Sequence, residues 1–445
     1  METCQSVRSM AQGTVDALVS NQLVVDQAID AIGMGRYQWQ LLFSCGFGFL
    51  VDQMLLISIT IIMPNAAKEF GPQYQALLSA SLYAGLFVGA VACRLLADIL
   101  GRKIVWQLSI FGVSIVTLLA ASSPNWRAVN VWTTLCGLFG GGNCVVSAQK
   151  MVVLLTGLAC IWGLGNAITA LISWPLVVNF CCPNGTSAET CTRPNNLGWR
   201  YIDIMLGSPY LIMSIARSFA LGMHESPKWL VAHGRTEDAV AALNKISFKN
   251  RAGYAADPSQ FCCLPDDQIS KRTCLEEIYS IKELFQGRRN LRLMGCLFLP
   301  WAFVGICYPV FSVFLPYYLS SHGANLGDGS NYQTYRDLVL SSVAGIFAAS
   351  AQIFAGLFTQ VQTEAQNIAF SCMINFWLNA LYAVIYSYKA PGLGCELLMA
   401  CGRLVSISAP FIATFGDVTS GVPLWVSCAG YVCMGLLGLA LPRLG

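Results

Sequence analysis

The sequence predicts an all-α polytopic membrane protein, and three observations carry that prediction. Hydrophobic residues make up 55% of the 445-residue chain and charged residues only 11%, against about 25% charged in soluble domains. The apolar residues gather into runs long enough to span a bilayer, which takes roughly 20 residues as a helix. These runs do not alternate in polarity as barrel strands do. Backbone groups in lipid must bond within their own segment, so the runs are read as helices.

Taken in order, residues 1–40 are predicted to be a cytosolic segment, too polar for a cleavable signal peptide. Within it "VDQAIDAIGMGRYQW" has apolar positions at helical spacing, then Gly33 and Gly35 as breakers, with Tyr37 and Trp39 placed for the interface. Six spans follow, at 41–63, 76–97, 104–122, 130–148, 151–180 and 203–222, making an N-terminal bundle over 41–222. A polar linker occupies 223–293. Five more spans, at 294–319, 338–358, 367–388, 396–416 and 422–441, fill the C-terminal bundle over 294–445.

The linker holds eleven Lys or Arg residues, with Lys228, Arg235, Arg288, Arg289 and Arg292 near its ends. Positive charge beside span ends marks the cytosolic side, and Arg102 and Lys103 share it by parity. Inside the linker "HESPKWLVAHGR" reads as a short helix with Ser226 as cap, Pro227 in the first turn and Gly234 as stop. "TEDAVAALNKI" reads as a second helix capped by Thr236. Both are predicted to lie as surface helices under the bundle.

The turn after span five then faces outward. It carries a glycosylation sequon at Asn184 and Cys181, Cys182 and Cys191, where Cys181 or Cys182 could bridge to Cys191. The other cysteines, 19 in all, are mostly packing residues. No zinc-ligand spacing occurs, and no metal or cofactor is predicted. The chain has no phosphate-binding Gly-Lys loop, no His-Glu-x-x-His and no nucleophile elbow. Enzyme chemistry and ATP-driven work are not predicted.

Several stretches point to one family. "ADILGRK" (Ala97 to Lys103) lies between spans two and three, and "HESPKWLVAHGR" follows span six. With six spans, a linker and a second bundle, the chain resembles the major facilitator superfamily. The finer resemblance is to the fungal group similar to synaptic vesicle glycoprotein 2, in the sugar-porter-like branch. "AIDAIGMGRYQW", "CGFGFLVDQM", "NNLGWRY", "YQTYRD" and "VQTEAQNIAFSC" carry it, over roughly 25–390. The resemblance implies two pseudo-symmetric six-helix halves around a midplane cavity. It also implies a secondary active transporter of a small organic solute, coupled to protons and working by alternating access. The alternatives are a non-transporting receptor-like or degenerate relative, and an uncoupled facilitator. Partners are the solute, protons and the bilayer, with no nucleic acid, and the chain is read as a monomer. Which membrane holds it, plasma membrane or endomembrane, does not follow from the sequence.

Departures from the family pattern are specific. In the loop motif Asp98, Gly101, Arg102 and Lys103 fit, but Arg94 replaces the leading glycine. Ser147 takes the approximate place of an acid after span four, and only Gln149 and Lys150 connect spans four and five. The second half is one span short, so eleven or twelve helices are expected. Span seven lacks the Gln-Gln-x-x-Gly-Ile-Asn pattern of sugar porters, so a sugar is not favoured. Pro309 and Pro316 are expected to interrupt that span.

Candidate pathway residues are Asp52, Trp162, Asn166, Trp377, Tyr382 and Arg403. Asp52 stands twelfth in a 23-residue run, where a charge costs about 2.5–3.5 kcal/mol on insertion scales. Such a carboxylate faces a cavity and handles protons or a substrate cation, or else pairs structurally with another helix. Arg403 meets a substrate anion or a bundle partner. Trp162, Asn166, Trp377 and Tyr382 line the cavity or simply pack. The resemblance assigns Asp98, Gly101, Arg102 and Lys103 to a cytosolic gate, joined by Glu225 and Arg235.

Overall fold

The computed structural model describes residues 17, 20–142, 152–183, 186, 188–219, 225–262, 286–321, 331–344, 394–415 and 422–440. Helices account for nearly all of them, and no strand occurs among the described residues. Helix α1 covers residues 20–32. The N-terminal spans are α2 (Arg36–Phe70), α3 (Leu77–Leu100), α4 (Arg102–Ala120), α5 (Trp126–Gly140), α6 (Val152–Phe180) and α7 (Gly198–Phe219). The linker contributes α8 (Pro227–Ala232) and α9 (Thr236–Asn250). The second half shows α10 (Arg288–Ser321), α11 (Asn331–Ala344), α12 (Gly394–Ser406), α13 (Ser408–Phe415) and α14 (Val422–Ala440). Among the described residues four stretches are long and apolar enough to cross a bilayer by themselves: Arg36–Phe70, Leu77–Ala97, Arg102–Ala120 and Gly163–Phe180.

The membrane setting is written on α4. Ile104, Leu108, Phe111, Ile115 and Leu119 recur at helical spacing and are each roughly 40–50% exposed. The opposite stripe, including Val105, Ser109, Val113 and Val116, is buried. An apolar stripe facing outward is stable only where lipid, not water, covers it. The chain is an integral multi-pass membrane protein.

Packing falls into two groups. In the first, α3 lies against α5, α2 against α6, and α4 against α5 and α7. The α3–α5 crossing rests on glycines: a Cβ at Gly85 would collide with the Thr134 carbonyl, and one at Gly89 with that of Leu138. Small residues let backbones approach in lipid. In the second group α10 packs against α12, α13 and α14. Helix α11 meets α6, and α12 and α13 meet α3, so the halves touch through these pairs.

Three differences from the sequence reading have physical causes. The run 396–416 is two helices broken at Ile407. Pro410 has no N–H for the Ser406 carbonyl, and its ring crowds that position. Helix α10, by contrast, runs unbroken through Pro309 and Pro316, so the expected interruption is absent. The linker helix begins with Arg235 as its cap residue and Thr236 already helical. The run 367–388 lies outside the described residues.

The described part of the linker, residues 225–262, is folded against the first helix. Val25, Ala28 and Ile32 of α1 share a buried cluster with Leu230, Val231, Leu243 and Ile246 of α8 and α9. Asn21 exchanges two hydrogen bonds with the Cys262 backbone, at 3.0 and 2.7 Å, and Lys228 pairs with Asp26 at 2.9 Å. The Asn250 amide ties Tyr37 and Gln38 to the end of α9. The first helix and linker residues 225–262 therefore form one small body beneath the N-terminal bundle.

Candidate functional site

Halfway along α2, Asp52 is buried, with 7% of its surface exposed. It is not the only acid at depth. Asp203, in the second turn of α7, is 5% exposed. Tyr210 stands seven residues further on the same helical face and is in electrostatic reach of Asp52, Asp203 and Cys136. Cys136 shares a 3.5 Å hydrogen bond with Thr117. Thus α2, α4, α5 and α7 converge on one polar cluster inside the N-terminal bundle. Sequence reasoning missed Asp203 and Tyr210. Asp203 was taken as the edge of a span, but α7 begins five residues earlier and carries it inside.

Among the described residues the Tyr210 hydroxyl is buried without a hydrogen-bond partner, as are Asn166 Oδ1 and Ser173 Oγ of α6. Asn166 and Ser173 are seven residues apart, on one face of their helix. A Cβ at the neighbouring Gly165 would come within 2.9 Å of the Leu50 carbonyl, which sets this part of α6 at the level of Asp52. A dry buried hydroxyl or amide left unpaired costs about 1–3 kcal/mol. Such atoms are therefore places where water or a solute can bond.

At the disulfide face, α2 ends in a second cluster that sequence reasoning did not find. Arg200 makes a two-pronged bond to Glu69, with Nη1 on Oε2 at 2.7 Å and Nη2 on Oε1 at 2.8 Å. The same carboxylate accepts from Trp199 Nε1 at 3.2 Å and Asn196 Nδ2 at 3.4 Å, and the guanidinium stacks on the Trp199 ring. Oppositely charged residues at matched ends of two spans were the only sign of it in the sequence.

The two halves interlock beside this pair. Asn65 donates to Tyr335 Oη at 2.7 Å, and Trp174 donates to the Tyr332 carbonyl at 3.1 Å. The Cys182 carbonyl accepts from both Lys68, at 3.0 Å, and Asn331, at 3.2 Å. Cys182 is bonded to Cys191, which settles the open choice; Cys181 is a buried free thiol. Nearer the middle, Arg403 donates to the Leu86 carbonyl of α3 at 3.4 Å, so this arginine reaches across the halves.

At the linker face, Gly101 adopts φ +99° and turns the chain between α3 and α4. A Cβ there would lie 2.6 Å from Glu225 Oε2. The Glu225 carboxylate accepts from the Lys103 backbone N–H with both oxygens, at 3.2 Å each, and from Ser226 N at 3.1 Å. It thereby neutralises the positive end of α4. Arg235 lines a cavity at this face together with Lys103 and Glu225, but its guanidinium is paired with Asp238 at 2.8 Å. Gly101, Lys103 and Glu225 are thus brought together; Arg235 stands at the rim. Among the described residues Arg102 Nε is buried without a hydrogen-bond partner. Trp377, Tyr382, Asn184 and Ser147, and the side chains of Trp162 and Asp98, lie outside the described residues.

Comparison with known proteins matches this architecture. A family model described as Major Facilitator Superfamily matches residues 42–363. MFS siderochrome iron transporter 1 of Ceriporiopsis subvermispora is 29% identical over 471 residues, covering 94% of this chain and 89% of its own length. Synaptic vesicle 2-related protein of Rattus norvegicus is 26% identical over 239 residues, covering 52% of this chain and 40% of its own. Among solved structures, the xylose transporter XylE of E. coli, partially occluded and inward open, aligns with a TM-score of 0.63 at 14% identity. That alignment covers 92% of this chain and all of the other.

Proposed function

We propose a proton-coupled mechanism from one premise: this chain belongs to the Major Facilitator Superfamily. It is a membrane transporter of small solutes and not an enzyme. The finer reading is secondary active transport of a small organic solute with protons, by alternating access between the two halves.

One observation carries the coupling: Asp52 is buried at mid-span within electrostatic reach of the same tyrosine as Asp203. Asp203 has the Arg200 guanidinium as its charged neighbour, which leaves Asp52 as the mid-span carboxyl assigned to the proton. Proton arrival and departure there change the local charge, and that change can bias which side the chamber opens to. Asn166, Trp162, Trp377, Tyr382 and Arg403 are assigned as lining residues, with the unpaired oxygens of Asn166, Ser173 and Tyr210 offered to the solute or to water.

Sidedness follows charge. The basic linker face is assigned to the cytosol and the disulfide face, with Asn184, to the outside. The hydrogen bonds between α2, α6 and α11 then close the outer gate, and the described conformation is read as inward-facing.

The test is reconstitution of the full chain in vesicles with an imposed pH gradient, screening organic solutes that include ferric siderochromes. Gradient-dependent uptake is expected, and Asp52→Asn is expected to lower it roughly 5–150-fold, the usual span of a coupling energy. Unchanged concentrative uptake in that variant removes Asp52 from the mechanism. Flux indifferent to the gradient makes the protein a facilitator, and saturable binding without flux makes it receptor-like.

A further inference from the structure

At the linker face a cavity of about 420 Å³ opens between the α3–α4 turn and helices α8 and α9. The geometry points to this cavity as a binding site for one anionic phospholipid, whose headgroup phosphate sits between Lys103 and Lys245 while its chains run along α4.

The walls differ in chemistry. On the bilayer side are Leu100 and Ile104, 46% and 52% exposed. They continue into the outward apolar stripe of α4 through Leu108. On the linker side are Lys245 and Trp229, and Lys103 enters from the first turn of α4 between Leu100 and Ile104. Both acids of the cavity are already engaged: Glu225 by the backbone N–H groups of Lys103 and Ser226, and Asp238 by Arg235. Among the described residues, neither the Lys103 nor the Lys245 ammonium has a hydrogen-bond or ion-pair partner. The lining thus carries three cations against two carboxylates, one net positive charge, with both lysine ammoniums left to meet a phosphate beside walls built for hydrocarbon.

A soluble anion satisfies the lysines and leaves the apolar wall unused. A zwitterionic lipid satisfies the wall, but its own ammonium opposes the lysines. An anionic phospholipid satisfies both, and Trp229 suits the depth of a headgroup. The fold places the cavity where lipid already lies, so the site needs no opening of the bundle.

The experiment is native mass spectrometry of the full chain, purified in detergent and titrated with phosphatidylserine, with phosphatidylcholine of the same chains, and with inorganic phosphate. One phosphatidylserine is expected to be retained over phosphatidylcholine by roughly 30-fold, about fivefold per lysine near a membrane surface. Lys103→Gln with Lys245→Gln is expected to bring the two lipids to parity, and Lys103→Arg with Lys245→Arg to keep the preference. Equal retention of both lipids by the unmodified chain overturns the proposal, independently of how the glutamine variant folds. So does an unchanged preference in that variant. Inorganic phosphate that binds as tightly as the lipid overturns the lipid assignment.

Discussion

Two arginine–carboxylate pairs of nearly equal length stand at opposite faces of this molecule and do different work. Arg200 and Glu69, at 2.7 Å, have side chains only 4% and 7% exposed. Arg235 and Asp238, at 2.8 Å, are 56% and 55% exposed. The first pair joins α2 to α7 across 131 residues of chain and is roofed by Trp199. The second spans one turn of a linker helix. Distance therefore says little about what a pair does; burial and what it connects decide. The disulfide face is a dry latch in which every change strands a polar partner. The linker face is wet, and its charges can exchange partners at small cost. That asymmetry is what a rocking mechanism needs if the outer side is now shut.

The sharpest way to break the comparison is Glu69→Gln. It leaves the Arg200 charge buried with its main partner gone, a situation worth about 3–5 kcal/mol. A correspondingly lower unfolding midpoint in detergent is expected. Adding Arg200→Met is expected to recover only part of the loss: the desolvation penalty leaves with the charge, but buried Asp203 loses its cationic neighbour. A single variant as stable as the unmodified chain makes the latch no different from a surface pair.

Next in size is Gly101→Ala at the other face. Its φ of +99° suits glycine alone among residue types, and a Cβ would push Glu225 from the start of α4. Holding such a backbone conformation costs about 1–3 kcal/mol. Here the wet face makes its one demand for precise geometry, and the loss is expected in stability and in transport together.

Tyr335→Phe is smaller in energy but crosses the halves. It removes one buried hydrogen bond to Asn65, worth about 1 kcal/mol. Stability is expected to change little. The outward-open population, read by spin-label distances across the disulfide face, is expected to rise roughly fivefold. No shift in that population detaches Tyr335 from the gate.

The sequence showed the spans because lipid demands length and apolarity locally, residue after residue. Asp52 was legible for the same reason: a carboxylate inside an apolar run has no local excuse. Asp203 obeys the same rule and was missed because its helix starts earlier than its hydropathy does. The Glu69–Arg200 latch was invisible in kind. Both residues sit at span ends, where charges are ordinary, and only the folded bundle brings them together. The outward placement of the loop left Cys181 and Cys182 as alternative partners of Cys191, and the structure bonds Cys182 to it. The linker helices were legible from their caps and breakers, but their shared core with α1 was not, since it depends on contacts more than 190 residues apart.

The smallest expected effect belongs to Arg235→Ala. Its partner Asp238 is more than half exposed and three residues away on the same helix turn, and exposed pairs of this sort contribute about 0.3–0.5 kcal/mol. Removing the guanidinium also leaves Asp238 near the positive end of α9, where a first-turn acid is favoured without any arginine. The unfolding midpoint is therefore expected to move by less than the error of most membrane-protein measurements, and to respond to salt if it moves at all. A large loss of transport with stability intact carries a different meaning. It makes Arg235 a member of the moving charge network that the loop-motif resemblance assigns to it, exchanging Asp238 for another acid when the linker face closes. A second, high-salt measurement separates the two: a partner formed only in the closed state is buried and resists screening, whereas the surface pair with Asp238 does not.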